Sequence, residues 1–281
     1  MNQRYKKIND LSYLKKIAYE LRKDIIEISY ESKAHHIGSE FSCIDILTSL
    51  YFNIMNIFPS DPYNKNRDWF LLSKGHAALA LYVALSKAGF FDKKKLKKEF
   101  LSDGGLLGGH PDRKSLPGIE MSSGSLGHSL SIGSGIALGL KKNKINSKVF
   151  VLLGDGELNE GMIWEACMFS SHNKLDNLIA IIDYNRLQGF GTTDEILNLD
   201  PLDKKFNAFG WKTEVINGHN IDEIISIMQS LPLKTSIPTA IIANTIKGKG
   251  VKSMENKLHS HYEILTKERY EEIINELDKF N

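Results

Sequence analysis

The sequence predicts a three-layer α/β fold in which a mainly parallel central sheet is flanked by helices. Two short apolar runs, residues 149–153 and 178–182, are rich in β-branched residues, and each ends in a turn. Between them, residues 160–173 repeat apolar side chains at helical spacing. A strand, a helix and a second strand of these lengths form a βαβ unit, whose strands run parallel and are buried on both faces.

Length and composition favour one folded domain, which we predict over residues 1–281. Lys and Arg number 36 against 34 Asp and Glu, a net charge of +2, so neither a nucleic-acid nor a membrane partner is expected. No apolar stretch approaches the ~20 residues of a membrane span, and no signal segment is recognisable, so we expect a cytoplasmic protein. Cys43 and Cys167 fall in helical patterns, as reduced core thiols do.

Apolar periodicity predicts helices and one strand in the part of the chain that precedes the βαβ unit. In order, these are an amphipathic helix over 11–28, a helix from about Ser42, a strand over 69–72, an Ala- and Leu-rich helix from Ala77, and helices up to about Leu101. The glycine-rich loops 104–111 and 122–128 follow.

Glycine in the next helix suggests a close approach of its backbone to the sheet. Gly133, Gly135 and Gly139 each cost about 1 kcal/mol relative to alanine in a helix. We therefore expect this helix to pack tightly on the sheet, with its amino end near an anion. The later elements are a long loop over 189–201, strands over 213–216 and 239–243, a helix over 221–231 between them, and an amphipathic helix over 268–277.

An acid and an amide follow the two strands of the βαβ unit. Asp155 and Asn185 would lie at the carboxyl ends of parallel strands, where open α/β sheets bind ligands. A carboxylate in the turn Gly154-Asp155-Gly156 would repel a phosphate unless a cation lay between them. Mg²⁺ prefers oxygen ligands, and Asp155, Asn185 and the backbone carbonyl of Leu187 can supply three. This pattern predicts a divalent cation (Mg²⁺, or Ca²⁺ or Mn²⁺) that holds a phosphorylated ligand.

Two alternatives for this turn remain open. A Rossmann dinucleotide site would account for Gly154 and Gly156, but Asn159 occupies the position of its third glycine. An ordinary Asp-Gly turn without a ligand explains the turn alone equally well.

Three histidines stand in glycine-flanked loops, namely His36, His76 and His110. Any one of them alone would more often be structural or solvent-exposed, but three near predicted strand ends favour a shared cleft. Neutral imidazoles both donate and accept hydrogen bonds, which suits binding hydroxyls and moving protons. A zinc site at His259 and His261 is a weaker alternative, because no further Cys or His is near in sequence.

These motifs, in this order, resemble those of transketolases. The strings GDGELNEGMIWEA (154–166) and IIDYNRLQ (181–188) resemble the metal and diphosphate motif of thiamine diphosphate enzymes, and transketolase in particular. The similarity covers about residues 10–262. It implies the thiamine diphosphate-binding fold, with thiamine diphosphate and Mg²⁺ as cofactors.

The resemblance also implies roles for individual residues. The implied catalytic residues, which orient sugars and move protons, are His36, His76, His110 and His261. The implied metal ligands are Asp155, Asn185 and the carbonyl of Leu187. The implied cofactor-binding residues are His76, Gly124, Leu126, Gly154, Asp155, Gly156, Glu157, Glu160, Asn185 and Lys247. Glu160 would link two cofactor sites across a dimer. Ile37 stands where the family usually has proline. His259 is an alternative to His261 as the functional histidine near the end of the chain.

The resemblance further implies a partner and a reaction. Transketolases also carry a pyrimidine-binding domain and a third domain, so this chain resembles the amino-terminal subunit of a split transketolase. A separate carboxy-terminal subunit with the pyrimidine-binding domain would complete an α2β2 heterotetramer. The implied reaction transfers a two-carbon ketol unit from a ketose phosphate to an aldose phosphate. The alternatives are the α subunit of another thiamine diphosphate enzyme, such as a 2-oxo acid dehydrogenase, and a non-catalytic cofactor-binding scaffold.

Overall fold

A computed structural model describes residues 3–280 and contains the predicted parallel sheet. Residues 1, 2 and 281 of the predicted domain lie outside the described part of the chain. The strands are β1 (Trp69–Leu72), β2 (Val149–Gly154), β3 (Leu178–Tyr184), β4 (Lys212–Asn217) and β5 (Thr239–Asn244). They lie in the order β1-β2-β3-β5-β4, and all four pairings are parallel. The predicted strands and their direction are therefore confirmed.

Helices cover both faces of this sheet. They are α1 (Leu11–Ser32), α2 (Ile37–Ser49), α3 (Ala78–Lys87), α4 (Lys93–Glu99), α5 (His128–Lys142), α6 (Gly161–His172), α7 (Thr193–Ile196), α8 (Leu202–Ala208), α9 (Ile221–Gln229) and α10 (Lys267–Phe280). Helices α1, α2, α3, α9 and α10 supply the core on one face, and α5, α6 and α8 supply the core on the other. Among the described residues, no helix is long and apolar enough to cross a membrane.

Strand β2 shows why its sequence reads as a continuous apolar run. Phe150 and Leu152 pack into the core on one face, whereas Val149, Val151 and Leu153 pack into the core on the other. Because side chains alternate between faces along a strand, both faces must be apolar when helices cover both. The three-layer arrangement predicted from this run is thus confirmed.

Helix α2 begins earlier than the predicted start near Ser42. It starts at Ile37, because His36 takes a left-handed backbone conformation (φ 79°) and its carbonyl accepts hydrogen bonds from the amides of Ser39 and Glu40. Every residue of α2 is buried. A helix surrounded by protein has no polar face, so its sequence shows little helical periodicity.

The expected loop over 189–201 contains a short helix, α7. Thr192 and Glu195 form a reciprocal capping box at its amino end, in which the Thr192 side chain accepts from the Glu195 amide and the Glu195 carboxylate accepts from the Thr192 amide. This spacing of Thr and Glu is a helix-start signal. This signal was present in the sequence, and the prediction of a long loop was wrong for residues 193–196.

The close approach predicted for the glycine-rich helix α5 holds at one position. A Cβ atom at Gly133 would lie 2.7 Å from Cγ2 of Val151 in the sheet, so only glycine fits there. At Gly135 and Gly139 an added Cβ would meet no atom within 4 Å from the described residues outside the helix's own backbone. For these two glycines the expectation of close packing was wrong, since Gly135 is exposed and Gly139 is only half-buried.

Candidate functional site

A cavity of about 400 Å³ opens at the carboxyl ends of β1, β2 and β3. Parallel strands end at the same edge, so residues far apart in sequence meet here. Of the predicted site residues, the following line the cavity: His36, His76, His110, Gly124, Leu126, Gly154, Asp155, Gly156, Glu157, Asn185, Leu187, Lys247 and His261. Glu160 is exposed and lies outside it.

The acid and the amide converge on one turn. Asp155 Oδ1 accepts a hydrogen bond from the amide of Gly156 (2.7 Å), and Oδ2 accepts from the amide of Arg186 (2.6 Å). Asn185 Oδ1 accepts from the amide of Leu187 (3.1 Å). The Asp155 carboxylate therefore lies against the 185–187 turn, as expected from the register that pairs Gly154 with Asp183 on the neighbouring strand.

These oxygens fit a hard divalent cation. Burial, and then the neighbouring Asp183, raise the pKa of the Asp155 carboxyl to about 6, so a buried negative charge here needs a positive partner. Within residues 3–280, no three His, Cys, Asp or Glu side chains form a metal-binding group. A cation would therefore rely on one carboxylate with amide and carbonyl oxygens, plus phosphate and water, which is a donor set typical of Mg²⁺.

Lys247 already supplies a positive charge at this turn. Its side chain is buried, and Nζ donates a hydrogen bond to the Leu187 carbonyl (2.8 Å). Burial, and then the charge of Lys74, lower the pKa of the Lys247 amine to about 8, although Asp155 opposes this shift. The ammonium thus lies beside the oxygens that we expect to bind the metal.

A buried ion pair supports the floor of the cavity, and sequence reasoning missed it. Lys74 Nζ donates to the Asp183 carboxylate and to the backbone carbonyl of Ser39 (2.9 Å). Asp183 also accepts from the hydroxyls of Ser42 (2.5 Å) and Thr245. Despite its burial, Lys74 holds the pKa of the Asp183 carboxyl below its ordinary value. The available signal was a charged residue inside the apolar run of β3.

Four imidazoles gather above this floor. The ring centre of His36 lies 5.1 Å from that of His261, 5.5 Å from that of His76 and 6.4 Å from that of His110. The rings of His76 and His261 are 5.3 Å apart. These residues come from four separate segments of the chain, and the fold brings them together in one cavity, as predicted for His36, His76 and His110.

The four imidazoles are neutral near pH 7. Burial is the main cause of the low pKa of each ring, which is about 4 for His36, about 3 for His261, well below its ordinary value for His76 and lowered for His110. Nearby positive charges, among them Lys74 and Lys247, add to the effect on the first three rings. A neutral ring carries one donor and one acceptor nitrogen, which suits hydroxyl groups.

The structure also distinguishes between the two histidines near the end of the chain, His259 and His261. His261 lies in the cavity, where Nδ1 is 3.2 Å from Oγ of Ser39. His259 is exposed, and its Nε2 lies 3.9 Å from a Glu263 carboxylate oxygen. His261 is therefore the histidine that can reach a ligand in the cavity.

Glu157 binds protein groups on the cavity wall. Its carboxylate accepts hydrogen bonds from the amides of Gly127 (2.7 Å) and Gly154 (3.2 Å) and from the Ser73 hydroxyl. These bonds tie together the loop after β1, the amino end of α5 and the end of β2. We expected an anion near the amino end of α5, and the Glu157 carboxylate is one that lies there.

Further residues line the cavity that were not predicted as site residues, although Gln188 ends the string IIDYNRLQ. They are Ser39, Lys74, Gln188, Gly189, Phe190 and Tyr262. Phe190 is 86% exposed and Tyr262 is 55% exposed, so two aromatic rings stand at the cavity mouth. Their position depends on how the loops pack rather than on any local pattern.

Comparison with known proteins gives one consistent result. The family model for the thiamine diphosphate binding domain of transketolase matches residues 14–278. The chain is 44% identical to one subunit of the apulose-4-phosphate transketolase of Phocaeicola vulgatus, covering 92% of this chain and 91% of that protein. It is 42% identical to the 6-deoxy-6-sulfo-D-fructose transketolase subunit SqwG of a Clostridium species, covering 87% and 88%.

Solved structures agree. The transketolase of Campylobacter jejuni superimposes with a TM-score of 0.88 at 30% identity, covering 96% of this chain and 43% of that one. For the transketolase of Leishmania mexicana the TM-score is 0.87 at 26% identity, covering 94% and 41%. The chain thus spans about two fifths of the length of the solved proteins that it matches, and nearly the full length of the relatives named as subunits.

Proposed function

The chain belongs to the transketolase family, through that family's thiamine diphosphate-binding domain, and we propose that it is the amino-terminal subunit of a split transketolase. One observation carries this proposal. The Asp155 carboxylate lies against the 185–187 turn, and four neutral imidazoles surround the same cavity. Such a cavity can hold a metal-bound diphosphate at its floor and sugar hydroxyls nearer its mouth.

The floor residues would hold the cofactor. Asp155, Asn185 and the Leu187 carbonyl would bind Mg²⁺, which neutralises both the buried carboxylate and the diphosphate. Gly154 and Gly156 would let the diphosphate approach the backbone near Asp155 closely, and Lys247 adds positive charge. The bound thiamine diphosphate would supply the carbanion chemistry that moves a two-carbon ketol unit.

The imidazoles would orient the sugars and move protons. Because His36, His76, His110 and His261 are neutral, each can accept a proton from one hydroxyl and donate a hydrogen bond to another oxygen. The Ser39 hydroxyl contacts Nδ1 of His261 (3.2 Å) and so helps to set the orientation of this ring. Sugar phosphates are the proposed substrates, in cytoplasmic carbohydrate metabolism of the pentose phosphate type.

A second subunit would complete the site. Two relatives of nearly the same length are named as transketolase subunits, which supports a partner that carries the pyrimidine-binding domain. Phe190 at the exposed mouth and Glu160 on the surface are available for such contacts. An α2β2 heterotetramer, with Glu160 linking its two sites, is the assembly that we propose.

Ketol transfer by purified chains tests the function. We expect no transfer between xylulose 5-phosphate and ribose 5-phosphate by this chain alone, and transfer after its pyrimidine-binding partner is added. Activity of the isolated chain would contradict the split-enzyme proposal. Because the names of two relatives specify other sugars, apulose 4-phosphate and 6-deoxy-6-sulfofructose should be assayed in parallel.

The same preparation separates the two alternatives. Turnover of 2-oxo acids instead of ketose phosphates would identify the α subunit of a 2-oxo acid dehydrogenase. Calorimetric binding of thiamine diphosphate without turnover of either substrate class would identify a scaffold.

A further inference from the structure

A chain of polar contacts, buried at Arg22 and Asp45 and partly buried at His219, reaches the loop that carries Lys247. Arg22 on α1 binds both carboxylate oxygens of Asp45 on α2, at 3.0 and 2.7 Å. Asp45 Oδ2 lies 2.8 Å from Nδ1 of His219. Nε2 of the same ring lies 2.8 Å from the backbone nitrogen of Ile246, the residue before Lys247.

The contacts of the His219 ring define one tautomer. The Ile246 amide can only donate, so Nε2 of His219 must be the acceptor and carries no hydrogen. Nδ1 then carries the hydrogen and donates it to Asp45. Burial opposes ionisation of the Asp45 carboxyl. Arg22 and His219 together outweigh this effect, and the pKa of the Asp45 carboxyl is lowered to about 2. A charged carboxylate thus fixes which ring nitrogen accepts.

Local geometry brings this ring close to the loop. A Cβ atom at Gly218 would lie 2.4 Å from Cγ2 of Thr245, so the turn after β4 can approach the end of β5 only because residue 218 lacks a side chain. The Gly218 amide also donates to the Asn244 carbonyl (2.8 Å). His219 is therefore held at a fixed distance from residue 246.

The loop beyond Ile246 enters the cavity. Lys247 follows immediately, and its Nζ donates to the Leu187 carbonyl, which is the backbone oxygen proposed to bind the metal. Thr245 on one side and Gly248 on the other are held by bonds to Tyr184 and Gly38. The Ile246 amide, between them, depends on the side chain of His219.

We propose that His219 is a positioning residue, oriented by Asp45 and Arg22, which holds the backbone at Ile246 so that Lys247 stays on the Leu187 carbonyl. The role of Lys247 in binding the cofactor rests on the proposed function. The placement of Lys247 by His219 does not rest on the proposed function and can be tested without cofactor. Groups that orient the residues around a metal site typically change affinity by about 10- to 100-fold when they are replaced.

Two polar substitutions that differ by one methylene group isolate the contact. In His219→Gln the amide oxygen can take the place of Nε2 and accept from Ile246, whereas in His219→Asn the side chain is too short to reach it. Ile224→Val, in the helix that follows His219, is the stability control, because it removes one buried methylene group and leaves the ring intact.

The first experiment uses the full chain without cofactor. Acetylation of the Lys247 amine by acetic anhydride and hydrogen exchange at the Ile246 amide are followed by mass spectrometry. We expect both rates to rise about tenfold in His219→Asn, as for the loss of one hydrogen bond, and to stay near wild type in His219→Gln and Ile224→Val. Equal rates in the Asn and Gln variants would overturn the proposal.

The second experiment measures thiamine diphosphate binding with Mg²⁺, by calorimetry, in the full chain together with its partner subunit. His219→Asn should raise the Kd about tenfold or more, but should add nothing further in a Lys247→Met background. Additive effects of the two substitutions would overturn the positioning role. If the wild-type complex does not bind thiamine diphosphate while Lys247 acetylation still responds to His219→Asn, the proposed function fails and the positioning role stands.

Discussion

At the scale of single residues, the site combines charges that burial makes costly. Four ionisable side chains are buried at the ends of the central strands, namely Asp155, Asp183, Lys74 and Lys247. Lys74 and Asp183 compensate each other directly. Asp155 instead has a raised pKa, and within residues 3–280 its hydrogen-bond donors are two backbone amides, so its charge remains available to a cation. This contrast distinguishes the structural pair from the acid that we propose binds the metal.

Asp155→Asn tests this distinction. The pKa of the Asp155 carboxyl is raised to about 6, so at neutral pH it is still mostly charged, and burying this charge destabilises the folded state relative to the unfolded state. Removal of the buried charge should stabilise the cofactor-free chain, but the amide has only one oxygen for the Gly156 and Arg186 amides. We expect these two effects to oppose each other and to leave thermal stability near that of wild type. Mg²⁺-dependent binding of thiamine diphosphate to the complex should weaken by about 100-fold or more, beyond a typical outer-shell effect.

Calorimetry and thermal denaturation check the two halves of this expectation. Asp222→Asn, an exposed aspartate at the start of α9, is the matched control for the loss of one charge. Cofactor affinity in Asp155→Asn equal to that of the control would rule out the metal assignment.

At the scale of elements, α5 connects sheet packing to the site. Its amino end is held by Glu157 through the Gly127 amide, and its middle rests on β2 at Gly133. The predicted glycine-rich helix was correct, and only one of its three glycines makes the predicted close approach. The start of helix α2, in contrast, was not predicted correctly, because the helix is buried on every side and its sequence has no amphipathic pattern.

Gly133→Ala and Gly135→Ala form a matched pair in this helix. A Cβ at 133 would lie 2.7 Å from Val151, so we expect a loss of about 1–3 kcal/mol in the free energy of unfolding. A Cβ at 135 would meet no atom of the described residues outside the helix's own backbone within 4 Å, so the same change should stabilise the protein by about 0.5–1 kcal/mol. Urea unfolding of both variants measures the difference, and equal midpoints would contradict this packing of α5 on β2.

At the scale of the whole molecule, the cavity exists because loops from both halves of the chain close over one sheet edge. His36, His76, His110 and His261 meet only in the folded chain, and burial there removes their charge. Folding stability must therefore depend on pH, since the unfolded chain can protonate these rings freely.

Acidification should destabilise the protein between about pH 6.5 and pH 4. His36 and His261 have pKa values of about 4 and 3 when folded, against an ordinary value of 6.5, so in this range the unfolded state binds more protons. Asp155, raised to about 6 from 3.8, acts in the opposite direction. The buried carboxyls of Glu40, Asp68 and Glu157, whose pKa values burial also raises, do the same and offset part of the effect of the four imidazoles. Urea midpoints at pH 7.5 and pH 5 measure the net effect.

His36→Asn is the control for this pH effect. Asparagine tolerates the left-handed backbone of residue 36 (φ 79°) and does not titrate, so the loss of stability between the two pH values should be smaller in this variant. An unchanged pH dependence would show that His36 does not contribute.

The sequence by itself determined the parallel sheet, the βαβ unit, and the acid and amide at neighbouring strand ends. These follow from periodicity, strand length and turn residues, which act over a few consecutive positions. Tertiary structure alone decided that Lys74 pairs with Asp183, that His261 rather than His259 enters the cavity, and that His219 holds Ile246. Each of these depends on burial and on distances between segments far apart in the chain, and no local pattern encodes them.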